Sequence, residues 1–467
     1  MTPLHTRYAS KEMLGIFDRE SIAKNWRQVW IALAEAQRDL GCPISEKQID
    51  QLKATAETID FNRIAEIERD TRHDVVANIK AWAEIAPDAA SIIHLGATSA
   101  FVTDNAERIG QQKALFLVKA RLEELISELS SSAEKYAEVV TLGYTHFQPA
   151  QPTTAGKRIC LWIQDLLLDL KKINLALEDF PCRGAKGTTG TAASYYEIFK
   201  SHAKTIQLDT LVAQKLGFKR SVSLSGQTIS RKLEAELGDL LAGIAISLSK
   251  FGRDIRLLSH TGEMYEGFGD KQVGSSAMPY KRNPMKAERL CSLSRLVVHH
   301  RNAMAETAMT QWLERSLDDS AIRRVVIPES FMAIDGALRV AVSLAKCLEV
   351  NEKVCKSKVN GLLPFLCVEK IIIAAAEQGH NRQAIHEKLR EYAVEANKSD
   401  ADPGSSFYIL LDLDPILCEF TPIIDGAEKN HLMLTGTALH QIVNFLTKEV
   451  RPALEHVNIS AVDELEV

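Results

Sequence analysis

Apolar residues recur at three- and four-residue steps over unusually long stretches, and that period constrains the fold more than any other feature. From Ser230 to His260 the apolar positions are Leu233, Leu237, Leu240, Leu241, Ile244, Leu248, Phe251, Ile255 and Leu258. One helix covering them would be roughly 45 Å long at 1.5 Å per residue. Residues 108–140, 153–179 and 285–312 carry similar patterns. Within 159–177, Ile159, Leu161, Trp162, Ile163, Leu166, Leu167, Leu168, Leu170 and Ile173 cover more than one face. A helix apolar on several sides belongs inside a bundle or a subunit interface. The middle of the chain therefore reads as a long-helix bundle, the core of a homo-oligomer. Nearer the start, Trp26, Trp30, Leu33, Gln37 and Leu40 fall at helical steps, and Gly41 follows as a C-cap.

Strand signals are sparse, with short β pieces expected near Val139–Tyr144 and within 262–275. Pro87–Ser99 is a turn-rich break. Near residue 350 the long periodicity gives way to shorter helices, and Asn397–Ser406 reads as a loop. The expected division is an N-terminal helical domain (1–98), a central long-helix domain (99–349) and a C-terminal helical domain (350–467).

Composition narrows the function classes. A net charge of -5 over 467 residues gives no global basic field, and no basic recognition helix is visible, so nucleic acid is not an expected partner. The 8 cysteines include no Cys-x-x-Cys pair, which argues against a zinc ribbon or thioredoxin motif. Scattered cysteines in a long chain read as reduced thiols of a cytoplasmic protein. The first residues lack the apolar core of a signal peptide. No stretch reaches the ~18 uninterrupted apolar residues of a membrane span. No metal cluster or dinucleotide glycine motif appears, so neither metal nor cofactor is expected.

The chemistry is concentrated in a few strings. Residues 274–284, Gly-Ser-Ser-Ala-Met-Pro-Tyr-Lys-Arg-Asn-Pro, combine backbone freedom at Gly274, the hydroxyls of Ser275 and Ser276, and the donors of Lys281, Arg282 and Asn283. Pro279 and Pro284 stiffen the path. Such a loop suits a reaction that builds negative charge on a carboxylate. Gly262, Gly267, Gly269 and Gly274 suggest that it closes over a ligand. In Thr145-His146-Phe147-Gln148-Pro149-Ala150-Gln151-Pro152, the prolines forbid regular helix until about Thr153. That sets His146 in a constrained turn leading into a helix, with a ring suited to proton donation near neutrality. Arg72-His73-Asp74, read as a helical triplet, offers a guanidinium fork, a titratable ring and an acceptor. Thr98 and Ser99 precede a long helix, where a hydroxyl caps and an anion is favoured. Gln227 offers an amide. Arg315, Ser320 and Arg324 are spaced by five and four, so Ser320 and Arg324 would share a helix face and suit phosphate. An ion-pair network with Glu314, Asp318 and Asp319 is the alternative for these arginines.

Taken in order, these strings resemble the fumarase/aspartase superfamily over residues 6 to about 324, and Met-Pro-Tyr-Lys-Arg-Asn-Pro resembles its adenylosuccinate lyase branch. The resemblance implies an all-α, three-domain fold whose central bundle is the core of a homotetramer with shared active sites. It implies elimination of fumarate from adenylosuccinate, giving AMP, and from SAICAR, giving AICAR. It further implies Ser275 as base, His146 as acid with His73 the runner-up, and Lys281 as a charge-stabilising group. Glu288 would orient His146, although a first-turn acid also complements the helix dipole. Arg7, Tyr8, Arg72, His73, Asp74, Thr98, Ser99, Gln227, Asn283, Arg289, Arg315, Ser320 and Arg324 would hold substrate. Chemistry alone does not separate Ser275 from Ser276. Argininosuccinate lyase, fumarase and aspartase share the reaction type, but Tyr280, Arg282 and the arginine set favour a nucleotide. A non-catalytic protein on the same fold, as some lens crystallins are, is the reading of a different class. Ser275, His146 and Lys281 argue against it.

Overall fold

The computed structural model describes residues 2–269 and 272–455. The last part of the expected C-terminal segment, 456–467, lies outside them. The elements that position the site are α1 (Arg19–Asp39), α2 (Phe61–Thr71), α3 (Asp74–Ile85) and α4 (Ser99–Lys135), then a hairpin of β1 (Val140–Thr145) and β2 (Gln148–Thr154). They continue with α5 (Ala155–Glu178), α6 (Lys232–Thr261), β3 (Met264–Tyr265), α7 (Met285–Met309), α8 (Asp319–Lys346) and β4 (Glu349–Val350). The chain is overwhelmingly helical, as the periodicity predicts.

Helices α4 to α8 form the bundle: α6 packs on α7, α7 on α8, and α4 on α5 and α8. Their inward faces, including Phe101, Leu122, Trp162, Ile163, Ile244, Phe251, Leu290, Phe331 and Leu338, share one apolar core with Trp30 and Leu33 of α1. Gly252 lets α6 and α7 approach closely, because a Cβ there would lie 3.0 Å from the Ala287 carbonyl oxygen. Asp18 caps α1 by accepting the Ser21 N–H at 2.7 Å, and Gly41 stands at φ 94° beyond its end.

Helix α4 starts at Ser99 after the N-cap Thr98, as the hydroxyl pair predicts, and it extends the apolar period seen from 108 back across the buried Asp104, Asn105 and Arg108. Helix α8 is a further long helix whose pattern is broken by Pro328, yet it continues through it.

A second core gathers Val359, Leu363, Ile371, Leu389, Phe407, Leu411 and Ile424 with Leu142 of the hairpin. Residues Glu352–Glu377 are long and apolar enough by composition to cross a membrane. They form two helices, Glu352–Leu366 and Val368–Glu377, that bury Val359, Leu363, Ile371 and Ile372 in this second core. Ile442, Leu446 and Val450 return to the bundle's core. The short strand β3 pairs antiparallel with β4, which anchors the start of the 266–284 loop to the end of α8.

Candidate active site

The loop after β3 carries the first group. Ser275 is half-buried, and its Oγ accepts two backbone N–H groups, from Ala277 at 3.3 Å and from Met278 at 3.1 Å. Ser276 is exposed. The Asn283 amide donates to the Gly274 carbonyl at 2.7 Å, and the Lys281 N–H donates to Met278 at 3.0 Å, folding the loop on itself. Only glycine fits at 274, since a Cβ would collide with the Lys281 carbonyl. Lys281 and Arg282 are exposed, with the Arg282 guanidinium 5.5 Å from the centre of the Phe268 ring. Tyr280 is 81% exposed, so the outer side of the loop faces solvent in a single chain. Arg289 lines a cavity of about 500 Å³ behind the loop, together with Phe268, Gln272 and Lys286.

The second group gathers at the start of α4. Arg72-His73-Asp74 does not lie on one helix, contrary to the sequence reading. Arg72 sits at φ 53° and ends α2, while His73 is the N-cap of α3. The break turns the His73 ring toward the next helix start. Its Nδ1 accepts the Val76 N–H at 3.4 Å, which places the proton of a neutral ring on Nε2, 3.3 Å from Ser99 Oγ. Thr98 makes no side-chain cap, so its hydroxyl is not spent on its own helix. Asp74 receives Arg324 at 3.1 Å, tying α3 to the first turns of α8. Ser320 and Arg324 stand on those turns as expected, and the Arg324 side chain remains 62% exposed.

Arg315 follows the alternative reading within one chain. It pairs at 2.8 Å with Asp319, a fully buried carboxylate that also takes Arg231 at 2.7 Å. The Gln227 N–H donates to the Glu314 carbonyl at 2.9 Å, and its own carbonyl accepts from Arg183 at 2.8 Å, so Gln227 is stapled beside Arg315. Beneath them lies a buried ion-pair set that the sequence reading missed. In it Asp104 accepts Arg231 at 3.1 Å and the Ile229 N–H at 2.6 Å. Burial pushes the Asp104 carboxyl up, but Arg231, Arg323 and Arg183 outweigh it and hold it below the ordinary range. No periodicity marks such residues, because charges inside a helical pattern look like a solvated face. At the N-terminus, the Leu4–Tyr8 turn lies on α8, with the Tyr8 carbonyl accepting Arg339 at 2.9 Å and Arg7 exposed.

The third group is the hairpin. His146 is at its tip rather than in a lead-in to a helix. His146 and Phe147 have φ 53° and 57°, and Thr145 pairs with Gln148, which makes a two-residue turn of the type favoured in hairpins. Pro149 and Pro152 forbid helix, as read, but an edge strand tolerates them. Helix α5 begins only at Ala155, capped by Thr154. His146 is exposed, and the ribbon below it is fastened: Thr141 and Tyr144 each donate to Glu263 at 2.7 Å, and Arg158 donates to the Leu142 carbonyl at 2.6 Å. Burial pushes Glu263 up, but hydrogen bonds from Thr261, Thr141 and Tyr144 hold it below the ordinary glutamate value.

Glu288 is exposed in the first turn of α7. Among the described residues, no hydrogen bond or ion pair joins His146 to Ser275, Glu288 or His73. The structure thus brings His73, Asp74, Ser99 and Arg324 together, sets Gln227 beside Arg315, and leaves the loop and the hairpin tip as separate groups.

Comparison with known proteins agrees with this architecture. Residues 6–298 match the family described as Lyase. The chain is 42% identical to the adenylosuccinate lyase of Schistosoma mansoni over 97% of its length and 95% of the relative's. It is 40% identical to that of Schizosaccharomyces pombe over the same shares, and 34% identical to that of Pyrococcus abyssi over 86% of this chain and 88% of that one. Its fold matches 3-carboxy-cis,cis-muconate lactonizing enzyme from Pseudomonas putida with a TM-score of 0.83 at 23% identity, covering 96% of this chain and 98% of that one. It also matches fumarate lyase from Mesorhizobium sp. BNC1 with a TM-score of 0.80 at 21% identity, covering 95% and 99%. The chain belongs to the adenylosuccinate lyase family of carbon–nitrogen lyases.

Proposed function

We propose that this family member eliminates fumarate from adenylosuccinate, leaving AMP, and from SAICAR, leaving AICAR, with Ser275 as base and His146 as acid. The observation that carries the reading is the pair of backbone N–H groups on Ser275 Oγ in a loop that also holds Lys281 and Arg282. A serine hydroxyl is too weak an acid to ionise unaided. N–H donors and nearby positive charge favour its alkoxide. The alkoxide removes the proton from the succinyl carbon beside a carboxylate, and negative charge spreads onto that carboxylate. Lys281, Asn283 and the loop amides stabilise it. The C–N bond then breaks, and the leaving nitrogen takes a proton from His146. Glu288 orients that ring. Thr98 and Ser99 hold a substrate carboxylate at the start of α4. Arg7, Arg315, Ser320 and Arg324 hold phosphate, with Tyr8, Arg72, His73, Asp74, Gln227 and Arg289 as further substrate contacts.

The same reading makes the active protein a homotetramer whose sites are each completed by several subunits. Two observations support it. The loop, the hairpin tip and the α4 cluster are separate within one chain. In addition, α5 exposes Leu161, Leu168 and Leu175, seven residues apart and so on one face, while α6 exposes Ile246 and Leu257. A cytoplasmic location and the division at 98 and 349 belong to this proposal. All eight cysteines being free fits a reducing compartment. The test is fumarate release from adenylosuccinate by the wild type beside Ser275→Ala. Release by the wild type and near-complete loss in the variant are expected. No release by the wild type would redirect the search to argininosuccinate and aspartate.

A further inference from the structure

Glu266 stands where the loop leaves β3, and it is 4% exposed. Its carboxylate reaches across the base of the loop. Oε1 accepts the Lys286 N–H at 3.0 Å and Oε2 accepts the Ala287 N–H at 2.9 Å. These N–H groups belong to the first turn of α7 and have no acceptor within their own helix. The residue before α7, Pro284, supplies no side-chain cap. Glu266 therefore caps α7 from the opposite end of the loop, and its charge complements the helix dipole. The adjoining residue is fixed as well: Gly267 has φ 71°, and a Cβ there would collide with the Cys347 backbone. Burial pushes the Glu266 carboxyl above the ordinary glutamate value, while the Lys286 and Ala287 N–H groups pull it back.

We propose that Glu266 is a positioning residue for the elimination: its carboxylate clasps the two ends of the 267–285 loop and so sets where Ser275 stands. The inference rests on the Ser275 reading. Glu266 touches no reacting atom in that scheme; it acts through the loop. Glu266→Gln is nearly isosteric but turns an N–H donor toward an N–H donor, which opens half of the clasp.

The experiment measures kcat and KM for adenylosuccinate in Glu266→Gln and Glu266→Asp, with trypsin cleavage after the exposed Lys281 and Arg282 in the same preparations. The expected result for Glu266→Gln is a fall in kcat of about tenfold, KM within about twofold, and severalfold faster cleavage. Glu266→Asp keeps the charge on a shorter arm and falls between. Unchanged kcat, or a fall in kcat without faster cleavage, would overturn the proposal. Misfolding of both variants would make Glu266 a determinant of the fold and would equally overturn it. Ser275→Ala separates the two readings. It should lose activity with cleavage unchanged, whereas an active Ser275→Ala defeats the base assignment and leaves the Glu266 cleavage result standing on its own.

Discussion

The hairpin that carries His146 and the loop that carries Ser275 are held in opposite ways. The hairpin is fastened along its length. Glu263 holds Thr141 and Tyr144, Arg158 holds the Leu142 carbonyl, and two left-handed residues fix the turn. The loop is held at its base by Glu266 and inside by the Asn283–Gly274 bond, while Tyr280, Lys281 and Arg282 stand in solvent. The contrast teaches a division of labour. The proposed acid is presented on a ribbon fastened along its strands, and the proposed base sits on a loop fastened at its base with its outer side exposed.

The sharpest way to break this contrast is within the loop. Ser275→Ala should lower kcat about a thousandfold, and Ser276→Ala less than tenfold, in fumarate-release assays. Equal losses would end the preference that the two N–H donors give Ser275. Asn283→Ala removes both a donor and the strut to Gly274, so kcat should fall about a hundredfold. On the hairpin, Tyr144→Phe removes one of three hydroxyls from a buried carboxylate. Thermal unfolding should register a loss of about 1 kcal/mol, and kcat should fall only severalfold, because Thr141 and Arg158 still hold the ribbon. A collapse of activity there would mean that the hairpin is no firmer than the loop.

The smallest effect tests the scaffold behind the α4 cluster. His94 accepts the Trp30 indole N–H at 2.8 Å, and burial, helped by His73, pushes its pKa down from 6.5 to about 4. A histidine held neutral in the folded state contributes stability that is complete above the ordinary value and is lost as pH falls toward the folded one. Unfolding free energy should therefore decline between about pH 6.5 and about 4, and His94→Gln should lose part of that slope. An unchanged slope would show that His94 is not the titrating group.

Much of this was legible in the sequence because periodicity reports burial of apolar residues. The bundle, the loop and the arginines at the start of α8 follow from it and from turn chemistry. Features resting on buried charge were not legible. The start of α4 was legible from Thr98 and Ser99, but the burial of Asp104, Asn105 and Arg108 within it was not. Arg72-His73-Asp74 lost its helical reading because Arg72 takes a left-handed conformation that no residue type there announces. No sequence pattern marks Glu263 or Glu266, since their partners include hydroxyl and backbone groups from distant segments. The turn at His146 reads in the sequence as a lead-in to a helix, because the prolines exclude helix without distinguishing an edge strand from a loop.

The central claim is that acid and base come together only between subunits, and chain mixing tests it most directly. His146→Ala and Ser275→Ala proteins, each nearly inactive alone, are combined and allowed to exchange subunits, and fumarate release from adenylosuccinate is followed. The account predicts that activity returns, because some sites then receive an intact His146 from one chain and an intact Ser275 from another. Failure to recover activity, with exchange demonstrated by differently tagged chains, would contradict it.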